Sequence, residues 1–245
     1  VAEMFDDAGI PDGVFNMVQG FGDAGNAIVE HDDVKTVMFT GSAEVGHLIQ
    51  DTLGGVAGRR AVCEMGGKNA VVITEEADLD IAVHSAVMSA FKTTGQRCVS
   101  AERLIVHTDI YDEFKRQFVE VANDVAVDDP LDEETFMGPL IEAEHHEKVK
   151  GYNQLAREEG VNVLVDRTDL AADEIPDGHE DGHWIGPFVY EADPDADLRC
   201  IHEEVFGPHV ALLEYDGDIE RAVAIQNDTE YGLAAGIWSD KGSKL

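Results

Sequence analysis

Short apolar runs alternate with helical stretches along almost the whole chain, and this alternation constrains the fold more than any other feature. Runs at 14–18, 35–39, 61–65, 70–73, 104–106, 162–165, 188–190 and 209–213 read as strands. The stretches 1–8, 43–57, 78–93, 111–127, 142–159 and 219–227 read as helices, and 22–30 as a loop entering a helix. Strand and helix in alternation specify an α/β fold, a parallel sheet covered by helices. Ile81, Val83, Ala86, Val87, Ala90 and Phe91 form the apolar stripe of helix 78–93. Gly66-Gly67 interrupts the pattern, so two units are expected, 1–66 and 67–245. The acidic stretch 166–183, with Pro176 and Gly178, reads as a loop.

Charge narrows the function. Asp and Glu number 51 against 17 Lys and Arg, a formal net charge of −34. Phosphate binding needs clustered bases, so nucleic acid is excluded as a partner and an anionic membrane surface with it. No apolar stretch approaches the ~18 residues that would span a bilayer. The acids are spread along the chain, and molar salt, with a Debye length of ~3 Å, relieves their mutual repulsion. We read them as adaptation to a salt-rich cytoplasm. Cys63, Cys98 and Cys200 form no CxxC pair, which fits a reducing, cytoplasmic location. The opening Val1, and Ser243-Lys244-Leu245 without a closing element, are read as belonging to a piece of a longer protein.

Two glycine turns compete as a phosphate seat. Gly20-Phe21-Gly22-Asp23-Ala24-Gly25 matches GxGxxG, with a strand expected before it and a helix after it. The acid wanted at the end of the next strand is missing, because that strand ends at Phe39-Thr40. Thr40-Gly41-Ser42-Ala43-Glu44-Val45-Gly46 also joins strand to helix, with Ser42 at the helix N-terminus and Gly46 one turn on. A simple serine cap explains that turn equally well.

Cys98 follows the turn Gly95-Gln96-Arg97, where Arg97 adds positive charge that favours thiolate. Cys63 and Cys200 read as small core side chains. Glu64 ends an apolar strand, where burial would raise its pKa toward that of a general base. A base and a thiol together allow covalent catalysis. His145-His146, His179, His183 and His202 lack a third ligand at zinc spacing, so they read as solvated side chains and no metal site is expected.

Five ordered segments carry a resemblance. They are Ile10-Pro11-Asp12-Gly13-Val14-Phe15-Asn16, Phe39-Thr40-Gly41-Ser42 through Gly46, Glu64-Met65-Gly66-Gly67-Lys68-Asn69, Gly95-Gln96-Arg97-Cys98, and Glu203-Glu204-Val205-Phe206-Gly207-Pro208. Asn227 with Tyr231-Gly232-Leu233-Ala234-Ala235 extends them. In this order the chain closely resembles the aldehyde dehydrogenase superfamily over nearly its whole length. The resemblance implies part of a Rossmann-like cofactor domain followed by an α/β catalytic domain truncated at its C-terminus.

It also implies roles. Cys98 matches the nucleophile that adds to the aldehyde, and Glu64 the base that activates water to hydrolyse the thioester. Thr40, Gly41, Ser42 and Gly46 match the turn that holds NAD or NADP, in preference to the first glycine loop. The Met65 carbonyl matches the holder of the carboxamide, Glu204 the acid on the nicotinamide ribose, and Phe206 the ring beside it. The backbone N–H of Cys98 matches half of the oxyanion hole. The substrate would be a small aldehyde, and Thr93-Thr94-Gly95-Gln96-Arg97-Cys98 resembles branches that oxidise semialdehydes. The full-length protein would be a homo-oligomer, a dimer or tetramer.

The family's oxyanion Asn, its adenosine-ribose contacts and its Gly- and Lys-rich closing segment fall outside this sequence. The piece alone is therefore expected not to turn over substrate. Two other readings compete: an acyl-transferring relative that uses coenzyme A, against which Glu64 speaks, and a non-catalytic remnant or one half of a split enzyme.

Overall fold

The structure, a computed structural model, describes residues 1–240, and Ser243-Lys244-Leu245 lies outside them. The chain forms two compact units, Val1–Met65 and Gly66–Leu245, with the division one residue before the expected one.

The first unit contains α1 (Ala2–Asp7), α2 (Gly22–Glu30), β1 (Thr36–Thr40), α3 (Ala43–Leu53) and β2 (Arg60–Glu64). β1 and β2 pair in parallel, with Thr40 opposite Glu64. Both strands alternate, turning Val37, Phe39, Ala61 and Cys63 inward onto Val29, Ile49 and Leu53. The strand expected at 14–18 does not form. A strand exists only as part of a ladder, and this segment instead closes a turn from Val14 N–H to the Pro11 carbonyl and leaves Val14, Met17 and Val18 exposed. Helix α3 stops at Leu53 rather than at 57, because Gly54-Gly55 follows it.

The second unit is built on β3 (Ala70–Ile73), β4 (Arg103–His107), β5 (Asn162–Asp166), β6 (Phe188–Ala192), β7 (His209–Tyr215) and β8 (Ala235–Trp238). Their order is β5-β6-β7-β4-β3-β8, and every pairing is parallel except β5 with β6. The helices are α4 (Leu79–Phe91), α5 (Thr108–Asn123), α6 (Ala143–Glu158), α7 (Arg199–His202) and α8 (Ile219–Asn227).

Strand parity divides the core between two faces. Ile73, Leu104, Val106, Val189, Val210 and Leu212 pack with α4 and α5, including Phe91, Phe114 and Phe118. Val72, Ile105, Tyr190, Ala211, Leu213 and Tyr215 pack with Ala156, Cys200, Ile201, Ala222 and Ile225 on the other side. Coverage of both faces explains why these strands read as unbroken apolar runs. Ile81, expected in the stripe of α4, is instead exposed, while the other five stripe residues are buried. It lies in the first turn of the helix, just after the Asp78 cap.

Candidate functional site

In the first unit the sequence-predicted residues gather at the C-terminal ends of β1 and β2. The Gly41 N–H donates to the Glu64 carbonyl at 3.1 Å, joining the two strand ends. Ser42 caps α3, its hydroxyl accepting from the Val45 N–H at 3.3 Å. A Cβ at Gly41 would run into the Phe39 ring, and one at Gly46 would meet the Met65 side chain, so both glycines let neighbouring side chains pack close. Thr40 is exposed at the strand end. The turn thus offers free amides at the N-terminus of an eleven-residue helix, a favourable seat for an anion.

Glu64 departs from expectation. It is exposed, because the parity that turns Ala61 and Cys63 inward turns Glu64 outward. The burial expected of it is absent.

The GxGxxG stretch serves another purpose. No strand precedes it, and α2 begins at its second glycine. Gly22 and Gly25 open one wall of a 470 Å³ cleft whose other walls include Phe39, Val45, Leu48 and Ile49. The cleft is apolar and of a size to accept a planar base. Sequence reasoning missed it, although Val45, Leu48, Ile49 and Thr52 recur at helical spacing and lie on one face of α3.

In the second unit the residues gather at the N-terminal ends of four neighbouring parallel strands. Helix α4 ends at Phe91, and Thr93, Thr94 and Gly95 follow with φ of 60°, 56° and 69°. Two threonines in the left-handed region carry strain of about 1–3 kcal/mol each, so their surroundings must hold them there. The Thr94 hydroxyl donates to the Gly138 carbonyl at 2.8 Å. Gly95 presses so closely on the Gly207 carbonyl that no side chain fits.

Cys98, half-buried, lies in the turn that follows. Its carbonyl accepts from Asn69 Nδ2 at 2.7 Å, and the same nitrogen reaches the Ser100 carbonyl at 2.9 Å. Asn69 Oδ1 accepts from the Ala234 N–H at 3.1 Å. One amide side chain therefore ties the cysteine turn to the start of β3 and the approach to β8. Arg97, read as a source of positive charge for the thiol, turns to the helix instead, where its guanidinium donates to the Met88 and Ser89 carbonyls. Those C-terminal carbonyls of α4 lack helical partners and attract a cation.

Glu204 lies over the glycine pair. Its Oε1 accepts from the Gly67 N–H at 2.9 Å, and any side chain at Gly66 would overlap the carboxylate. Burial holds its pKa above the usual carboxylate range, opposed by that N–H bond. Phe206 sits at φ 62°, with its carbonyl 2.7 Å from His145 Nε2 and its ring edge-on to the His145 ring.

Of the histidines read as solvated, His179 is exposed as expected, but three others are engaged by backbone carbonyls. His145 holds Phe206, His146 Nε2 lies 3.1 Å from the Trp184 carbonyl, and His202 Nδ1 lies 3.1 Å from the Asp228 carbonyl. Among the described residues no group of three His, Cys, Asp or Glu is placed to hold a metal ion. Cys200 is buried, and burial followed by Glu159 pushes its thiol up to about 12. Cys63 is half-buried beside the Gly46 carbonyl.

Lys68 and Glu102 were not singled out from the sequence. They form a buried ion pair at 2.7 Å, with Glu102 also accepting from the Val205 and Phe206 amides. The available signal was a charge two residues before each of two wholly apolar runs, Lys68 before 70–73 and Glu102 before 104–106.

Comparisons with known proteins identify the family. The profile of the aldehyde dehydrogenase family matches residues 1–245. The chain is 41% identical to 5-carboxymethyl-2-hydroxymuconate semialdehyde dehydrogenase of Escherichia coli, over 100% of this chain and 51% of that protein. It is 37% identical to betaine aldehyde dehydrogenase of Mesorhizobium japonicum, over 98% of this chain and 48% of that one. Among solved structures, betaine aldehyde dehydrogenase from Staphylococcus aureus in complex with NAD+ superposes with a TM-score of 0.89 at 30% identity, over 99% of this chain and 47% of that one.

This chain belongs to the aldehyde dehydrogenase family and has its fold. It spans about half the length of the curated relatives it matches.

Proposed function

We propose that the protein carrying this sequence is a hydrolytic, NAD(P)-dependent aldehyde dehydrogenase with Cys98 as nucleophile. The observation that carries the reading is the construction around Cys98, a turn fixed by Asn69 directly after three left-handed residues. Such a turn holds a nucleophile stiffly, as attack on a carbonyl requires. The Cys98 thiolate adds to the aldehyde carbon, and the carbonyl electron pair moves to oxygen. The backbone N–H of Cys98 donates to that oxyanion. Loss of hydride leaves a thioester on Cys98. Glu64 takes a proton from the water that attacks this thioester, and the thiolate departs as the carboxylic acid is released.

The residues present fit a dinucleotide. The apolar cleft between α2 and α3 suits the base, and Thr40, Gly41, Ser42 and Gly46 form an amide-lined turn for the pyrophosphate. The Met65 carbonyl would hold the carboxamide and Glu204 the nicotinamide ribose, with Phe206 beside the ring. The bound dinucleotide supplies the two-electron acceptor for the hydride. Two matched relatives, one named for a semialdehyde, support an aldehyde substrate, and we assign this protein a semialdehyde. We further propose a homo-oligomer, dimer or tetramer, working in a salt-rich cytoplasm, in keeping with the net charge of −34.

Iodoacetamide labelling of the native protein tests the assignment of Cys98. The expected result is rapid alkylation at Cys98, with a rate that NAD(P)+ changes, while Cys63 and Cys200 lag behind. Equal labelling of all three contradicts it.

A further inference from the structure

Glu102 and Lys68 are costly residues to bury. Their side chains are 3% and 0% exposed, and a buried ion pair is often no more stable than an apolar pair of the same volume. What the pair does is connect. Lys68 Nζ donates to Glu102 Oε2 at 2.7 Å and to the Cys200 carbonyl at 2.9 Å. Glu102 Oε1 accepts from the Phe206 N–H at 2.8 Å, and its two oxygens accept from the Val205 N–H at 3.2 and 3.1 Å. The Glu102 N–H donates to the Asn69 carbonyl, and the Glu102 carbonyl accepts from the Ala211 N–H. The approaches to β3, β4 and β7 are thereby joined at one carboxylate.

Two features of the site depend on this junction. Phe206 is a non-glycine residue at φ 62°, held from its N–H by Glu102 and from its carbonyl by His145. Glu204 precedes the two amides that Glu102 binds, and its own carboxylate rests on Gly67, next to Lys68. Arg103 adds rigidity beneath, its guanidinium donating to the Lys68 carbonyl at 3.0 and 2.7 Å and to the Ile225 and Gln226 carbonyls.

We propose that the buried Glu102–Lys68 pair is a positioning device for the dinucleotide: it sets the 204–206 turn against the Gly66-Gly67 segment so that Glu204 and Phe206 face the nicotinamide riboside in one fixed orientation. Neither side chain touches the cofactor. The proposal rests on the dinucleotide reading above.

Glu102→Gln replaces one acceptor oxygen with a donor in a site whose backbone partners are all donors. The paired variant Glu102→Leu/Lys68→Met removes both charges without leaving either orphaned, and so keeps the fold testable. Two readouts on the native protein separate positioning from mere stability. In NADH fluorescence titration, both variants are expected to bind at least tenfold more weakly, and the KM for the dinucleotide rises similarly while kcat at saturation changes less than threefold. In hydrogen exchange without cofactor, the Gly67 amide, which Glu102 does not touch, is expected to exchange at least tenfold faster in Glu102→Gln, together with Val205 and Phe206.

Unchanged NADH affinity and KM in folded variants overturn the proposal, whatever happens to the melting temperature. So does faster exchange confined to Val205 and Phe206. If the unsubstituted protein binds no NADH, the dinucleotide reading fails, and the Gly67 exchange alone decides whether the pair positions Glu204.

Discussion

The two units place their candidate residues at opposite ends of parallel strands. In Val1–Met65, Glu64 ends β2, and Gly41, Ser42 and Met65 follow the C-terminal ends of β1 and β2, where a helix N-terminus offers free amides. In Gly66–Leu245, Lys68, Asn69, Cys98, Glu102 and Glu204 precede the N-terminal ends of β3, β4 and β7. There the backbone has no helix to supply donors, and buried side chains take over. Asn69, Glu102, Lys68 and Arg103 each bind main-chain groups from separate segments. The first arrangement suits holding a diffusible anion. The second suits fixing a nucleophile and its neighbours to within a fraction of an ångström.

The cores differ in the same sense. The first unit buries Val29, Ile49 and Leu53 beneath two strands, whereas the second covers both faces of its sheet along β3, β4, β6 and β7. Phe118 is wholly buried against Phe91 and Phe114. Phe118→Ala is expected to cost about 3–5 kcal/mol, and Leu53→Ala about 2–3 kcal/mol because fewer neighbours surround its cavity. Urea unfolding followed by hydrogen exchange reads each unit separately. An equal or larger loss for Leu53→Ala breaks the comparison.

A pH titration sharpens it. His209 is buried in the second unit between Asn153 Oδ1 at 2.8 Å and the Tyr190 hydroxyl at 3.2 Å, and burial holds its pKa well below the usual histidine value. Below about pH 6.5 the unfolded chain binds a proton that the folded chain refuses. Stability of the second unit therefore falls with pH there, by up to about 1.4 kcal/mol per pH unit from this group. His209→Phe is expected to flatten the acid limb of the urea midpoint. An unchanged slope shows that His209 is protonated in the folded state. The smallest effect belongs to the first unit: Ser42→Ala removes the cap of α3 and is expected to cost about 1 kcal/mol, visible as faster exchange at Val45.

Much of this was legible in the sequence, and the exceptions have physical causes. Strands buried on two faces, such as 70–73 and 104–106, announced themselves by composition. Strand β8 did not, because Ala235-Gly236-Ile237-Trp238 is short, contains a glycine and gains its identity only by pairing with β3 far away in sequence. The run 14–18 has strand composition but no ladder. Cys98 and the Gly41 turn stood out by residue type and order, and Glu204 only through the family resemblance. The exposure of Glu64 follows from strand parity, which composition does not reveal. Glu102 and Lys68 were silent because their meaning lies in what they touch across more than thirty residues.

In the proposed reaction Cys98 carries the acyl group and Glu64 releases it. Its most direct test is intact-mass and peptide analysis of the native protein and its Glu64→Gln variant after incubation with NAD(P)+ and succinic semialdehyde. A succinyl thioester is expected to accumulate on the peptide that contains Cys98 in the variant, with little or none in the unsubstituted protein. An acyl group on another residue, or undiminished turnover by Glu64→Gln with no thioester, would contradict it.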